Sequence, residues 1–324
     1  MVPQYVYGPI SNVFTAWEAD GRFDESGQRN LLDFLVKSGS ISAYFVRSGM
    51  GQMYAFSFDE VKRIAALTCK QLKGVGPVLV GSAGEWDRDY DRRPDPKVFL
   101  TQSIELGKYA QDQGAAGLVY TMPEAILPAS GQSYDDVILS YFQAINDAVS
   151  VPIFLYQPPG TKAEYCVTAD TAARLADMPN IKGIKISIDD ARYIFGICYA
   201  VKGKDFAYIA GSEFSFLPSL YMGAQACIGQ GCTINPAIIS AVQDRYEAGD
   251  RDGAIEAQRS VNFLCDESES PVAFLKQYAT EKGFAVPIYH REMKSPTYQP
   301  PRPLTDAHYA KFKRLLEVEL AKYV

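Results

Sequence analysis

The chain has 324 residues, 47% of them apolar and 22% charged, with a formal net charge of −6. That is material for one large α/β domain or two ordinary ones, with enough apolar residues for a core. The acidic balance argues against nucleic acid or an anionic membrane as the main partner, because neither phosphate-rich surface attracts it.

The first short apolar run, ISNVF (10–14), predicts a strand. GQRNLLDFLVKSG (27–39) follows with apolar residues at three- and four-residue spacing, a helix pattern that Gly39 terminates. AYFV (43–46) is the second strand, and SFDEVKRIAALTCKQL (57–72) the second helix, started by Ser57 three residues before Glu60 at the capping-box spacing. PVLVGSA (77–83) precedes the helix KVFLTQSIELGKYAQDQG (97–114), closed by Gly114, and GLVYTM (117–122) precedes YDDVILSYFQAINDAV (134–149). Four more runs follow: PIFLYQ (152–157), IKGIKIS (181–187), AYIAGSE (207–213) and ACIGQG (226–231).

Strand and helix alternating at buried-strand composition imply parallel pairing. The length fits one (β/α)8 barrel. A doubly wound open sheet is the alternative, but no GxGxxG follows the first strand. After residue 235 helix follows helix, and a proline-rich loop with Pro300, Pro301 and Pro303 leads into a last amphipathic helix. The expected organisation is therefore a (β/α)8 TIM barrel over 1–235 and a C-terminal helical extension over 236–324.

The only histidines, His290 and His308, come late, which argues against a histidine-rich metal site or a Ser-His-Asp triad. Cys69, Cys166, Cys198, Cys227, Cys232 and Cys265 are scattered with no CxxC pair, so a reducing, cytoplasmic setting is expected. No stretch reads as a signal peptide or a bilayer span.

In such a barrel the reacting groups lie at the C-terminal ends of strands. The candidates there are Thr15, Ser48, Glu85, Tyr120, Tyr156, Lys185, Glu213 and Gln230. Alternation puts Gly183 and Lys185 on one face of the sixth strand and Ile184 and Ile186 on the other. With the isoleucines toward the outer helices, Lys185 points inward, where desolvation favours the neutral amine, a nucleophile toward carbonyls. Tyr156 closes the preceding strand and can supply the proton shuttle that imine formation needs. The plainer alternatives are a Lys185 paired with a buried carboxylate or reaching out of the mouth, and a Tyr156 that is a packed aromatic. Lys182, at the strand's start, is expected to reach solvent.

GPISNVFTAWEADGRFDESGQRNLLDFLVKSG, the loop FVRSGMGQMYAFSFDE, the strand PIFLYQPPG, the strand IKGIKIS and AGSEFSFLPSLYMGAQACIGQG resemble, in order and spacing, the dihydrodipicolinate synthase/N-acetylneuraminate lyase family of pyruvate-dependent class I aldolases. The resemblance covers nearly the whole chain. It implies a barrel assembled as a homotetramer or dimer that uses no metal or organic cofactor. Lys185 would form an imine with a 2-oxo acid such as pyruvate or a 2-keto-3-deoxy sugar acid, with Tyr156 as the acid/base.

The departures from the family pattern are specific. Gly49 and Met50 stand where the family has two adjacent hydroxyls, with Ser48 before them and Gln52 in place of a glutamate. Backbone N–H groups of Gly49 and Met50 can still hold a carboxylate, while Ser48, Tyr120 or water would have to replace the relay. Thr161, followed by Lys162, stands where the synthase branch has an arginine, which argues against dihydrodipicolinate synthase itself. YTMPEAILPAS lacks the Tyr-Tyr pair that family members contribute across a dimer interface. Glu213 and Gln230 are expected to bind substrate, with a loop carboxylate in water as the plain reading of Glu213. The loop AGEWDRDYDRRPDP (83–96) hangs over the mouth, with Trp86 as a substrate cover or a packed anchor. Retro-aldol cleavage, condensation and dehydration of a 2-keto-3-deoxy sugar acid all remain open. So do a non-catalytic 2-oxo-acid-binding barrel and, more remotely, a sugar-phosphate enzyme using IGQG.

Overall fold

Each of the eight apolar runs carries a strand of one parallel sheet: β1 (Gly8–Asn12), β2 (Ala43–Val46), β3 (Val78–Gly81), β4 (Gly117–Thr121), β5 (Ile153–Gln157), β6 (Ile181–Ile186), β7 (Ala207–Ala210) and β8 (Ala224–Cys227). Each pairs with the next, and β8 returns to β1 to close the barrel. The computed structural model describes residues 1–293, 295 and 298–323; positions 294, 296 and 297 of the proline-rich loop lie outside the described residues.

β1 starts two residues before its apolar run. Val13 and Phe14 leave the ladder and pack in the core outside the sheet. β8 likewise begins at Ala224, and the run's last residues turn into a short helix. An apolar run reports burial, not membership of the ladder, so strand ends slide against it.

The helices of the barrel layer are α1 (Glu25–Ser38), α2 (Phe58–Gln71), α3 (Pro96–Asp112), α4 (Tyr134–Ala148), α5 (Ala169–Leu175), α6 (Ala191–Ala200), α7 (Phe216–Tyr221) and α8 (Gly231–Ile234). α2 opens with the expected capping box, Ser57 and Glu60 each satisfying the other's backbone N–H. Gly39 and Gly114, at φ 71° and 90°, stand just past α1 and α3.

Two cores result from the alternation along the strands. Ile10, Phe45, Leu79, Val119, Phe154, Tyr156 and Ile209 fill the barrel interior. Val46, Val80, Leu118, Leu155, Ile184 and Ile186 pack outward against the helices. The chain continues as α9 (Pro236–Glu247), α10 (Arg251–Glu267), α11 (Pro271–Glu281) and α12 (Asp306–Leu320). The division read at residue 235 falls between α8 and α9. α9 packs on β1 and α7, and α10 packs on α9 and α12.

Arg291, after α11, reaches back to the mouth of the barrel. Its guanidinium pairs with both oxygens of Glu60 at 2.5 and 2.7 Å and donates to Gly21 O and Ala55 O, each at 2.6 Å. Its backbone N–H and C=O both bond the Gln52 side chain, at 3.1 and 2.7 Å. The extension therefore fixes the loop that follows β2.

Candidate active site

Lys185, next to last in β6, has the inward parity and is 3% exposed. No carboxylate lies within 4.0 Å of its Nζ among the described residues, so the ion-pair alternative does not hold. Tyr156 is its direct partner in the β5/β6 register, and Nζ lies 4.2 Å from the centre of the Tyr156 ring. Phe45 meets that ring edge-on at 6.3 Å, fixing its plane. Lys182 departs from expectation. It is half-buried and paired with Asp205 at 2.5 Å, and that contact holds the Asp205 carboxyl down at about 2.

The loop after β2 passes directly over the Tyr156 phenol. A Cβ built on Gly49 would lie 2.7 Å from Tyr156 Oη, closer than real Cβ contacts come. Only glycine lets the phenol reach this position. Ser48 is fully buried, donates its hydroxyl to Val13 O at 2.9 Å and accepts Gly51 N–H at 3.1 Å. Thr15 donates to Gly51 O at 2.6 Å. Both hydroxyls shape the loop, and the Ser48 proton is committed to the backbone. Met50 is half-buried and packs with the outer core. The amides of Gly49 and Met50 donate to no group among the described residues, as an anion grip requires.

Tyr120 is not in the site. On β4 the inward parity belongs to Val119 and Thr121, and Tyr120 points outward, donating to Ser103 O at 3.2 Å on α3. Its phenol lies against Gly107, where any side chain would collide with it. Nearness to a strand end does not settle which face a residue takes: Thr121, one position on, has the inward parity that Tyr120 lacks.

Glu213 is 5% exposed, which excludes a loop carboxylate in water. Its Oε1 accepts Gly231 N–H at 3.0 Å and the Cys265 thiol at 3.5 Å, and Oε2 packs against Gly229. Gln230 is half-buried, with its side chain on that same thiol. Both residues thus face α10 at the barrel rim. The Cys227 thiol, pushed well up by burial, feels the charges of both Glu213 and Lys185.

Sequence reasoning missed three groups beside Tyr156. Arg47 is 4% exposed with φ 50°, and donates to Met53 O at 3.1 Å, Gly81 O at 3.3 Å, Gly84 O at 3.3 Å and Ala83 O. Burial pulls its guanidinium down to about 10, and no carboxylate pairs with it among the described residues. Arg47, Tyr54, Thr121 and Tyr156 are the polar walls of a cavity of about 20 Å³. Parity points to Thr121 and Arg47, because each follows an inward residue by two. Tyr54 lies in an irregular turn that carries no such signal.

Glu124, 1% exposed, ties three loops together over the mouth. It accepts from Arg88 Nη2 at 3.2 Å, the Tyr90 hydroxyl at 2.8 Å and Lys162 N–H at 2.9 Å. Trp86, 8% exposed, donates its indole N–H to Asp89 O at 3.1 Å and packs edge-on to Tyr90, which makes it a loop anchor. Thr161 donates its hydroxyl to Pro158 O at 2.7 Å.

The site thus sets a buried amine without a counter-charge beside a phenol at the strand ends of a parallel barrel. Residues 6–318 match the dihydrodipicolinate synthetase family, and the chain belongs to that family. It is a lyase of the dihydrodipicolinate synthase/N-acetylneuraminate lyase type.

Among its relatives is YagE of Escherichia coli K12, which carries the provisional name 2-dehydro-3-deoxy-D-gluconate aldolase; it is 25% identical over 95% of this chain and 94% of its own. A 4-hydroxy-tetrahydrodipicolinate synthase of Acidiphilium cryptum is 27% identical over 86% of this chain and 89% of its own. The fold is also that of the pyruvate complex of YagE, with TM-score 0.76, 24% identity and 98% and 99% coverage. N-acetylneuraminate lyase of Mycoplasma synoviae superposes with TM-score 0.75 at 17% identity, covering 99% of both chains. No helix among the described residues is long and apolar enough to cross a membrane.

Proposed function

We propose that the protein is a class I aldolase that forms an imine between Lys185 Nζ and a 2-oxo acid, pyruvate or a 2-keto-3-deoxy sugar acid. One observation carries this reading: the Lys185 amine is buried without a counter-charge, directly opposite Tyr156. The substrate carboxylate lies on the free amides of Gly49 and Met50, which brings C2 toward the amine.

Nζ attacks C2, and Tyr156 protonates the oxygen that leaves as water. The resulting iminium takes up the electron pair of the breaking C3–C4 bond as an enamine, while Tyr156 accepts the proton of the C4 hydroxyl as the aldehyde departs. Protonation of C3 and hydrolysis then release pyruvate and restore the amine. Thr161 offers no charge to a second carboxylate, which favours a sugar-acid aldolase over a dihydrodipicolinate synthase. The scattered cysteines favour a reducing cytoplasm, and the family resemblance favours a homotetramer.

The test is reductive trapping. Incubation with pyruvate and borohydride, followed by peptide mass spectrometry, is expected to place a pyruvyl adduct on Lys185 and none in Lys185→Met. An unmodified Lys185 after incubation with pyruvate and with 2-keto-3-deoxy acids would overturn the reading in favour of a binding protein.

A further inference from the structure

We propose that Tyr54 is the relay hydroxyl of this site, connecting Tyr156 to solvent through a cavity sized for a single water molecule. The proposal rests on the aldolase reading above, because it explains how protons reach and leave Tyr156.

The neighbouring groups cannot do so. Gly49 has no side chain and no room for one, Met50 has no exchangeable proton, Ser48 gives its proton to Val13 O, and Tyr120 faces α3. The cavity that touches Tyr156 holds about 20 Å³, enough for one water. Its remaining polar walls are Arg47, Thr121 and Tyr54. Arg47 has one N–H left after its bonds to carbonyls and serves to hold the water's oxygen.

Beyond the cavity lies a broader surface pocket of about 470 Å³. Among the described residues, only Tyr54 and Trp86 line both spaces. An indole can donate but not accept, and the Trp86 N–H is already given to Asp89 O. Tyr54 is therefore the one group in the dividing wall able to take a proton from one side while giving one to the other. Its hydroxyl makes no hydrogen bond among the described residues, and the Arg88 guanidinium lies 5.6 Å from its ring centre. Burial keeps the phenol protonated, the state from which it donates.

The proton count closes. With pyruvate alone there is no C4 hydroxyl to return a proton, so after Tyr156 gives its proton to the departing water of the carbinolamine, the cavity water reprotonates the phenolate, Tyr54 reprotonates the cavity hydroxide, and solvent in the outer pocket reprotonates Tyr54. Each oxygen loses one proton and regains one. Deprotonation at C3 runs the same chain in reverse.

Pyruvate alone suffices for the test, since C3 deprotonation of the imine exchanges the methyl hydrogens. Deuteration of pyruvate in D2O, followed by proton NMR, is compared for the native protein, Tyr54→Phe and Tyr54→Leu, with borohydride trapping at Lys185 alongside. Tyr54→Phe keeps the ring and is expected to trap pyruvate as the native protein does while exchanging roughly 100-fold more slowly. If Phe restores what Leu loses, or exchanges at the native rate, Tyr54 is packing only and the relay is overturned. If the native protein forms no adduct, the aldolase reading itself fails and takes the relay with it.

Discussion

Lys276 shows what a buried lysine costs when no chemistry uses it. Its amine, on α11, is fully buried and donates to Tyr289 O at 2.6 Å. Burial lowers it from 10.5 to about 7, against a smaller opposing pull from Asp24. Between those two values the unfolded chain holds a proton that the folded chain has released, so stability rises with pH across the window and the penalty is complete below it. Chemical denaturation at pH 7 and pH 9 is expected to show a gain of about 2 kcal/mol from this group. Lys276→Met should flatten the difference by raising stability at pH 7. A slope unchanged by the substitution would assign the pH dependence elsewhere. The same scale shows what was legible in the sequence. The parity of IKGIKIS places Lys185 inside the barrel, whereas Tyr120, close to a strand end but of the outward parity, faces the helices.

At the scale of elements, every strand was foreseen within a few residues, because buried alternation is a local property. The loops were not. Arg47 and Arg88 adopt φ of 50° and 64°, which nothing in their neighbours' composition announces. The contacts that order the mouth join residues 36 and 38 positions apart, Arg88 to Glu124 and Glu124 to Lys162. Glu124 is the common acceptor, so its carboxylate ties the loop over 83–96 to the loop after β5. Glu124→Gln keeps the shape and removes the charge opposite Arg88, whose side chain is 11% exposed. Losing one partner of a buried pair costs about 3 kcal/mol, and here the loss is confined to the loops. Hydrogen exchange is expected to speed up in residues 83–96 and 158–162 while the strands keep their protection. Uniform loss of protection across the barrel would mean that Glu124 supports the fold itself.

For the whole molecule, the barrel and its extension share the Gln52 contact. Where the family carries a glutamate, this chain carries an amide that donates to Arg291 O and accepts Arg291 N–H. Gln52→Glu would restore the family's residue and set a carboxylate oxygen against a carbonyl oxygen, leaving a partly buried acceptor unpaired. The expected cost is about 1–3 kcal/mol, and the proposed aldolase reading adds a raised KM for pyruvate because the adjacent Gly49–Met50 amides lose their support. An unchanged thermal midpoint and KM would show that the contact holds nothing in place. The helices of the extension were readable from periodicity. Their attachment to the mouth was not, because it depends on a single side chain 239 positions away from its partner.

That separation has a consequence for how the protein is made. Strands β1 to β8 and Lys185 are all synthesised before Arg291, so a growing chain can close its barrel while the turn that carries Gly49 and Met50 still lacks its last supports. On the proposed aldolase reading, the amine is complete early and the carboxylate grip is complete late. A ribosome stalled before position 291 would therefore hold a barrel with Lys185 in place and the loop after β2 without its Arg291 contacts.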